Sequence, residues 1–171
     1  MRGRGIGDRA VSARRVRPVP ISDRLAVDGP VPFSYVIAVT NDELIRAAEA
    51  VLHPLTEGDR STGTVASTLV TDTGAFYSGV CIDTPSSLGF CAEHAAIAAM
   101  VTAREFRIAK IVAVCRDERG ALYVLPPCGR CREFIRQIAP ANLDTEVVLG
   151  REDSATLAEL LPAHQWPEPL D

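Results

Sequence analysis

Two short motifs hold the side chains able to do chemistry: Cys91-Ala92-Glu93 and Pro126-Pro127-Cys128-Gly129-Arg130-Cys131. Three thiolates fill three corners of a tetrahedral zinc site and leave the fourth open, which separates a catalytic zinc from a structural one. Water in that corner has its pKa lowered to roughly 7, so a nucleophile is available at neutral pH. Glu93, two residues after Cys91, can move protons without binding the metal. The reading is therefore Cys91, Cys128 and Cys131 as zinc ligands and Glu93 as the catalytic acid–base.

Ligand-x-Glu followed by Pro-Cys-x-x-Cys is the pattern of zinc deaminases that attack C4 of cytosine or C6 of adenine. Three plainer readings stand beside it. A redox Cys-x-x-Cys pair accounts for Cys128 and Cys131 but leaves Cys91-x-Glu93 without a role. A closed structural zinc needs a fourth protein ligand, for which His94 is the nearest candidate, and it leaves Glu93 idle. Glu93 as a first-turn helix acid is stabilising near the positive end of the helix dipole, and that reading is compatible with catalysis.

On these motifs the chain resembles the cytidine deaminase superfamily, in its branch acting on free nucleosides, from about Asn41 to Trp166. Val65-Ala66-Ser67, the block Pro127 to Arg132, and Leu160-Leu161-Pro162 followed by Trp166 look especially like the blasticidin S deaminases. The resemblance implies a five-stranded mixed sheet, a homotetramer, and a substrate pocket along Thr64, Cys81 and Asp83. It places Trp166 near a base or sugar face, although Trp166 reads equally as a packing residue. Counting on from Gly79, Cys81 stands where relatives carry asparagine, and Asp83 where cytidine deaminases carry the glutamate that holds the ribose. His94 replaces an arginine that donates to a zinc thiolate in the family. It either does the same, beside the ligands, or is an ordinary helix histidine.

At 171 residues the chain is long enough for one domain with a substantial core. Residues 1–30 carry seven arginines against three aspartates, a net +4, so residues 31–171 hold 11 basic and 19 acidic residues, a net −8. The expected organisation is a disordered Arg-rich leader, 1–30, and a zinc-dependent deaminase domain, 31–171. An acidic domain in a chain with only 5% aromatic residues is a poor binder of nucleic acid, which weighs against an editing deaminase. No segment is long or apolar enough to span a membrane, and no apolar run after the first arginines suggests a signal peptide. Five cysteines, three with a metal role, leave Cys81 and Cys115 as free thiols, a pattern suited to the cytoplasm.

The elements that must position the motifs follow from period and punctuation. Thr40 or Asn41 caps a helix with Leu44, Ala47, Ala48, Val51 and Leu52 on one face, ended by Pro54. Residues 64–71 and 75–83 read as strands around the turn Asp72-Thr73-Gly74. A loop leads into Cys91, and residues 92–106 read as an alanine-rich helix. Strands are expected at 108–116, 122–125 and 145–149, a helix from Cys128 to about Ile138, and a last helix over 155–161. This order reads as an α/β, three-layer α/β/α sandwich in which two helices start at the metal, so their dipoles face a site of net charge −1.

The expectation is a zinc-dependent aminohydrolase with Zn2+ as cofactor. It converts a free cytosine nucleoside or analogue, of the cytidine, deoxycytidine or blasticidin S type, to the uracil form and ammonia. The alternatives are a deaminase of another aminated heteroaromatic compound, a nucleic-acid deaminase, or a non-catalytic zinc module.

Overall fold

The first helix forms where Thr40 can cap it. In the computed structural model, which describes residues 39–165 and 169, α1 runs Asn41–Ala50. The Thr40 side chain accepts from the Glu43 N–H, and the Glu43 carboxylate accepts from the Thr40 N–H. That reciprocal arrangement satisfies two otherwise orphaned donors. The Arg-rich leader and Trp166 lie outside the described residues.

After α1 come β1 (Leu55–Glu57), β2 (Arg60–Thr71), β3 (Phe76–Asp83), α2 (Ala92–Thr102), β4 (Ile108–Arg116) and β5 (Leu122–Val124). The chain continues through α3 (Gly129–Ile138), β6 (Glu146–Val148), β7 (Ser154–Thr156) and α4 (Leu157–Leu160). The seven strands form one mixed sheet, not the expected five. Its width is nevertheless five. Ser61 pairs with Thr56 on one side and Asp83 on the other, while Ala66 pairs with Val114 and Val80, so β1 and β4 share one side of β2. Likewise β5 and β6 share the side of β4 away from β2, and β7 closes the far edge. Only β4 and β6 run parallel.

Alternation along β2 and β4 divides the core into two faces, because successive strand residues point to opposite sides. Ala66, Val70, Val112 and Val114 meet Leu44, Ile45 and Ala48 of α1. Leu69 and Ile111 meet Ile97 and Met100 of α2, Ile135 of α3 and Leu157 of α4. The result is the expected helix–sheet–helix sandwich. Each large aliphatic side chain buried this way contributes about 1.5–3 kcal/mol.

Two element ends differ from the expectation. The second helix stops at Thr102 rather than near Phe106, because Arg104 adopts the left-handed conformation at φ 63°. The Glu105 N–H then bonds to the Met100 carbonyl and the Arg104 N–H to the Val101 carbonyl, closing the helix with an arginine where glycine is usual. Glu105 is tied down by the Tyr77 hydroxyl at 2.7 Å and the Thr73 hydroxyl at 2.7 Å. At the other end of the chain, Ala155 and Thr156 belong to β7 and not to the last helix. Val147 pairs with Ala155, and Thr156 caps α4 with its own Thr-x-x-Glu arrangement.

One buried amide positions α3. Asn142 is fully buried; it accepts from the Ile108 N–H at 2.9 Å and donates to the Phe106 and Ile135 carbonyls. It thereby ties the end of α3 to the start of β4.

Candidate active site

Glycines bring the site's walls together. A Cβ at Gly79 on β3 would lie 2.4 Å from the Ala96 nitrogen, so α2 packs directly on the strand there only because the side chain is absent. A Cβ at Gly89 would lie 2.1 Å from the Ile82 carbonyl oxygen. Its absence lets Phe90 exchange two backbone hydrogen bonds with Ile82, which delivers Cys91 to the start of α2.

Cys91 and Cys128 occupy equivalent positions: each is the N-cap of its helix, and neither makes a side-chain capping bond. Cys131 lies one turn into α3 and is fully buried. All three sulfurs lie within 4.8 Å of one another, and Cys128 Sγ is 3.5 Å from Cys131 Sγ. The loop that carries Cys128 is braced by Arg132, whose guanidinium donates to the Pro127 carbonyl at 2.8 Å and to the Leu160 carbonyl at 2.8 Å.

This donor set fits zinc. Burial pushes the Cys91 thiol up, and burial together with the Glu93 charge pushes the Cys131 thiol up well beyond the usual range. Burial also raises Cys128, but the backbone N–H groups of Cys131 and Arg130 turned toward its sulfur, short of capping bonds, and the other two thiols bring it net down. Three sulfurs crowded this way are stable as thiolates only around a cation. Two helix N-termini, each worth about half a positive charge, add to that stabilisation.

Glu93, 6% exposed, sits in the first turn of α2. No described residue hydrogen-bonds to or ion-pairs with its carboxylate. It lines a cavity of about 380 Å³ together with Cys91, Cys128, Cys81, Asp83 and Phe90. Arg130, Leu125 and Pro126 complete one wall.

The remaining residues singled out in the sequence fall in different places. Cys81 is buried on the cavity wall; its sulfur accepts from the Val65 N–H at 3.3 Å and lies 3.0 Å from Thr64 Oγ1 and 3.6 Å from Asp83 Oδ2. Asp83 lines the cavity. Thr64 does not, and reaches it only through Cys81. His94 faces a second cavity of about 310 Å³ with Phe134, Glu133 and Arg130. Its ring packs on Phe134 with centroids 4.4 Å apart, and its buried Nε2 has no partner among the described residues, so no hydrogen bond to a ligand cysteine is formed. Burial, then the nearby Arg130, lowers its pKa against the opposing pull of Glu93.

Phe90 and Arg130 are cavity residues that the motifs alone do not single out. Phe90 carries no sequence signal. Arg130 does, because any residue between Cys128 and Cys131 is confined to the site.

Over residues 40–146 the chain matches the family model described as the cytidine and deoxycytidylate deaminase zinc-binding region. Its structure is similar to the cytidine deaminase of Mycobacterium leprae, with 26% identity and a TM-score of 0.59, over 72% of this chain and 98% of that one. The cytidine deaminase of Burkholderia pseudomallei gives 25% identity and 0.58, over 73% of this chain and 98% of that one. That of Mycobacterium tuberculosis, at 23% identity and 0.58 over 73% and 96%, shares the fold. No curated protein sequence is a significant match. The match over most of the chain, on the same segment that gathers Cys91, Glu93, Cys128 and Cys131, makes this protein a zinc-dependent enzyme of the cytidine and deoxycytidylate deaminase family.

Proposed function

We propose that the enzyme deaminates a free cytosine nucleoside or nucleoside analogue, of the cytidine, deoxycytidine or blasticidin S type, with Cys91, Cys128 and Cys131 holding zinc and Glu93 as the catalytic residue. The observation that carries this reading is Glu93 itself: a buried carboxylate without a protein partner, open to the cavity that Cys91 and Cys128 line. Such a group is costly unless it has a task.

When bound, zinc supplies the Lewis acidity that makes water nucleophilic at neutral pH. Glu93 takes the proton of the attacking water and places it on N3 of the base. It then carries a second proton to the amine leaving C4, so that cytosine and water become uracil and ammonia. The apolar cavity wall at Val65, Ala113 and Leu125 excludes competing water. Cys81 and Asp83 face the rest of the substrate, with Thr64 fixing the Cys81 thiol, and the family resemblance makes Trp166 a further contact. A cavity of about 380 Å³ in an acidic domain suits a free small molecule better than a polynucleotide. Residues 31–171 form the catalytic unit, working in the cytoplasm as a homotetramer, as the family resemblance implies.

The test is ammonia release over cytidine, deoxycytidine, blasticidin S, cytosine and aminopurines, with Glu93→Ala beside the parent enzyme. Loss of the proton shuttle should lower kcat by about 10²–10⁴ while zinc content stays near one per chain. A metal-free Glu93→Ala protein would make Glu93 a ligand and end this mechanism.

A further inference from the structure

The two thiols of α3 are arranged for a second chemistry. Cys128 is exposed at the start of the helix, where it lines the catalytic cavity. Cys131, one turn later, is fully buried, and the two sulfurs are 3.5 Å apart. Tetrahedral zinc with Zn–S bonds of about 2.3 Å holds its sulfurs roughly 3.8 Å apart, and a disulfide needs about 2.05 Å. A pair placed for the metal is therefore a short side-chain movement from a covalent bond. An exposed sulfur that can be attacked, backed by a buried one able to displace what was added, is the geometry of a reversible redox pair.

The other thiols are placed differently. Cys91 starts α2, and its backbone is pinned: Phe90 exchanges two hydrogen bonds with Ile82, and α2 lies directly on Gly79 of β3. A bond from Cys91 would join two separately anchored helices, whereas Cys128 to Cys131 closes within one turn of one helix. The Arg132 bonds that brace that turn, to the Pro127 and Leu160 carbonyls, involve no sulfur. Cys81, also on the cavity wall, has its sulfur engaged by the Val65 N–H, with Thr64 Oγ1 at 3.0 Å.

We propose that Cys128 and Cys131 form a redox switch on the metal site: a hydroperoxide oxidises them to a disulfide, which releases the zinc and stops catalysis, and a thiol reductant reverses both. The switch goes beyond the deaminase reading and takes its ligand set as the resting state. In the first step the Cys128 thiolate attacks an oxygen of the peroxide; the O–O bond breaks, an S–OH bond forms, and the other oxygen leaves with a proton from solvent as alcohol, or as water for hydrogen peroxide. In the second the Cys131 thiolate attacks the Cys128 sulfur, the S–S bond forms and hydroxide leaves. Two electrons pass from the two sulfurs to one peroxide. Cys91 is then the single thiolate facing the metal, too few donors to hold it. The redox and zinc readings of the Cys-x-x-Cys motif are two states of one site.

The experiment titrates the zinc-loaded full chain with hydrogen peroxide and reads zinc release with a metallochromic indicator. Zinc should appear in step with the loss of two of the five thiols, counted after denaturation. Trypsin cuts after Arg119, Arg130 and Arg132, so the expected bond links peptides 120–130 and 131–132 until it is reduced. Dithiothreitol with added zinc should restore thiols and metal content, and the same link should form in Cys91→Ser. Zinc retained with all five thiols free, a bond mapped to Cys91, or oxidation to sulfinic acid that dithiothreitol does not reverse each overturns the switch. A reduced chain that binds no zinc overturns the switch together with the ligand set. Zinc bound but no ammonia released from any nucleoside counts against the deaminase reading alone, because neither the metal nor the thiol readout depends on turnover.

Discussion

Among the described residues, the four α-helices begin in two different ways. α1 and α4 start at a threonine whose side chain accepts from the third residue's N–H, with a glutamate reaching back: Thr40 with Glu43, Thr156 with Glu159. α2 and α3 start at Cys91 and Cys128, which cap nothing with their side chains. The first pair satisfy their orphaned donors within the chain. The second pair leave theirs, and the positive ends of their dipoles, facing the thiol cluster. An uncapped helix start forgoes about 1 kcal/mol of stability, so two of them meeting at one point mark where the fold gives up local stability for chemistry.

Breaking the functional start should have the largest effect. Cys128→Ser puts a good capping hydroxyl in place of a metal thiolate, and we expect it to lose both zinc and activity. Its metal-free form should nevertheless be more stable than metal-stripped parent protein, by roughly 0.5–1 kcal/mol, because serine caps the helix that cysteine leaves open. Metal analysis and paired thermal melts check both halves. A variant that keeps its zinc would show that Cys128 is not a required ligand, and one that melts below the stripped parent would show that serine does not cap α3 where cysteine leaves it open.

Breaking the structural start should cost less and leave catalysis alone. Thr40→Ala removes the acceptor for the Glu43 N–H and one of the two Thr40 donors to its carboxylate, so stability should fall by about 0.5–2 kcal/mol. Zinc content should not move, since α1 packs on the face of the sheet away from the cysteines. Denaturant unfolding with metal analysis tests this. Metal loss in Thr40→Ala would mean that the two sheet faces are coupled.

This contrast also explains what could be read from the chain in advance. The gathering of Cys91, Cys128 and Cys131 with Glu93 beside them, and both helices that start there, were legible because each depends on local spacing, and β4 was legible because Ile111-Val112-Ala113-Val114 within Ile108–Arg116 is a continuous apolar run. β1 and β7 were not, since three residues carry too little propensity and exist only through pairing with β2 and β6. The early end of α2 was hidden because Arg104, not a glycine, takes the left-handed position. Asn142 was invisible for a different reason: its three partners lie 7, 34 and 36 residues away, and nothing local distinguishes it from a turn asparagine. The cavity wall has the same character, with Gly89 and Phe90 acting through a contact to Ile82 that only the folded chain makes.

The finest distinction between the two kinds of helix start is their response to acid. Glu43 is held below its ordinary value by the Thr40 N–H first and the Thr40 hydroxyl second, with Arg46 adding a little against a small opposing effect of burial. Glu159 is lowered in the same way by Thr156. A depressed carboxylate stabilises the fold fully above its unfolded value of about 4.3 and loses that contribution as pH falls through the lower folded value. Both capping boxes should therefore weaken as the medium is acidified below about pH 4.5. Metal release at acid pH would mask this in the holoenzyme, so the measurement belongs in the zinc-free Cys128→Ser background. There, Glu43→Gln with Glu159→Gln should flatten the fall of melting temperature between about pH 5 and 3, because an amide keeps an acceptor oxygen but cannot titrate. Parallel curves with and without the two substitutions would show that the capping glutamates titrate alike in the folded and unfolded chain, and that the difference between the two kinds of helix start lies in hydrogen bonding alone.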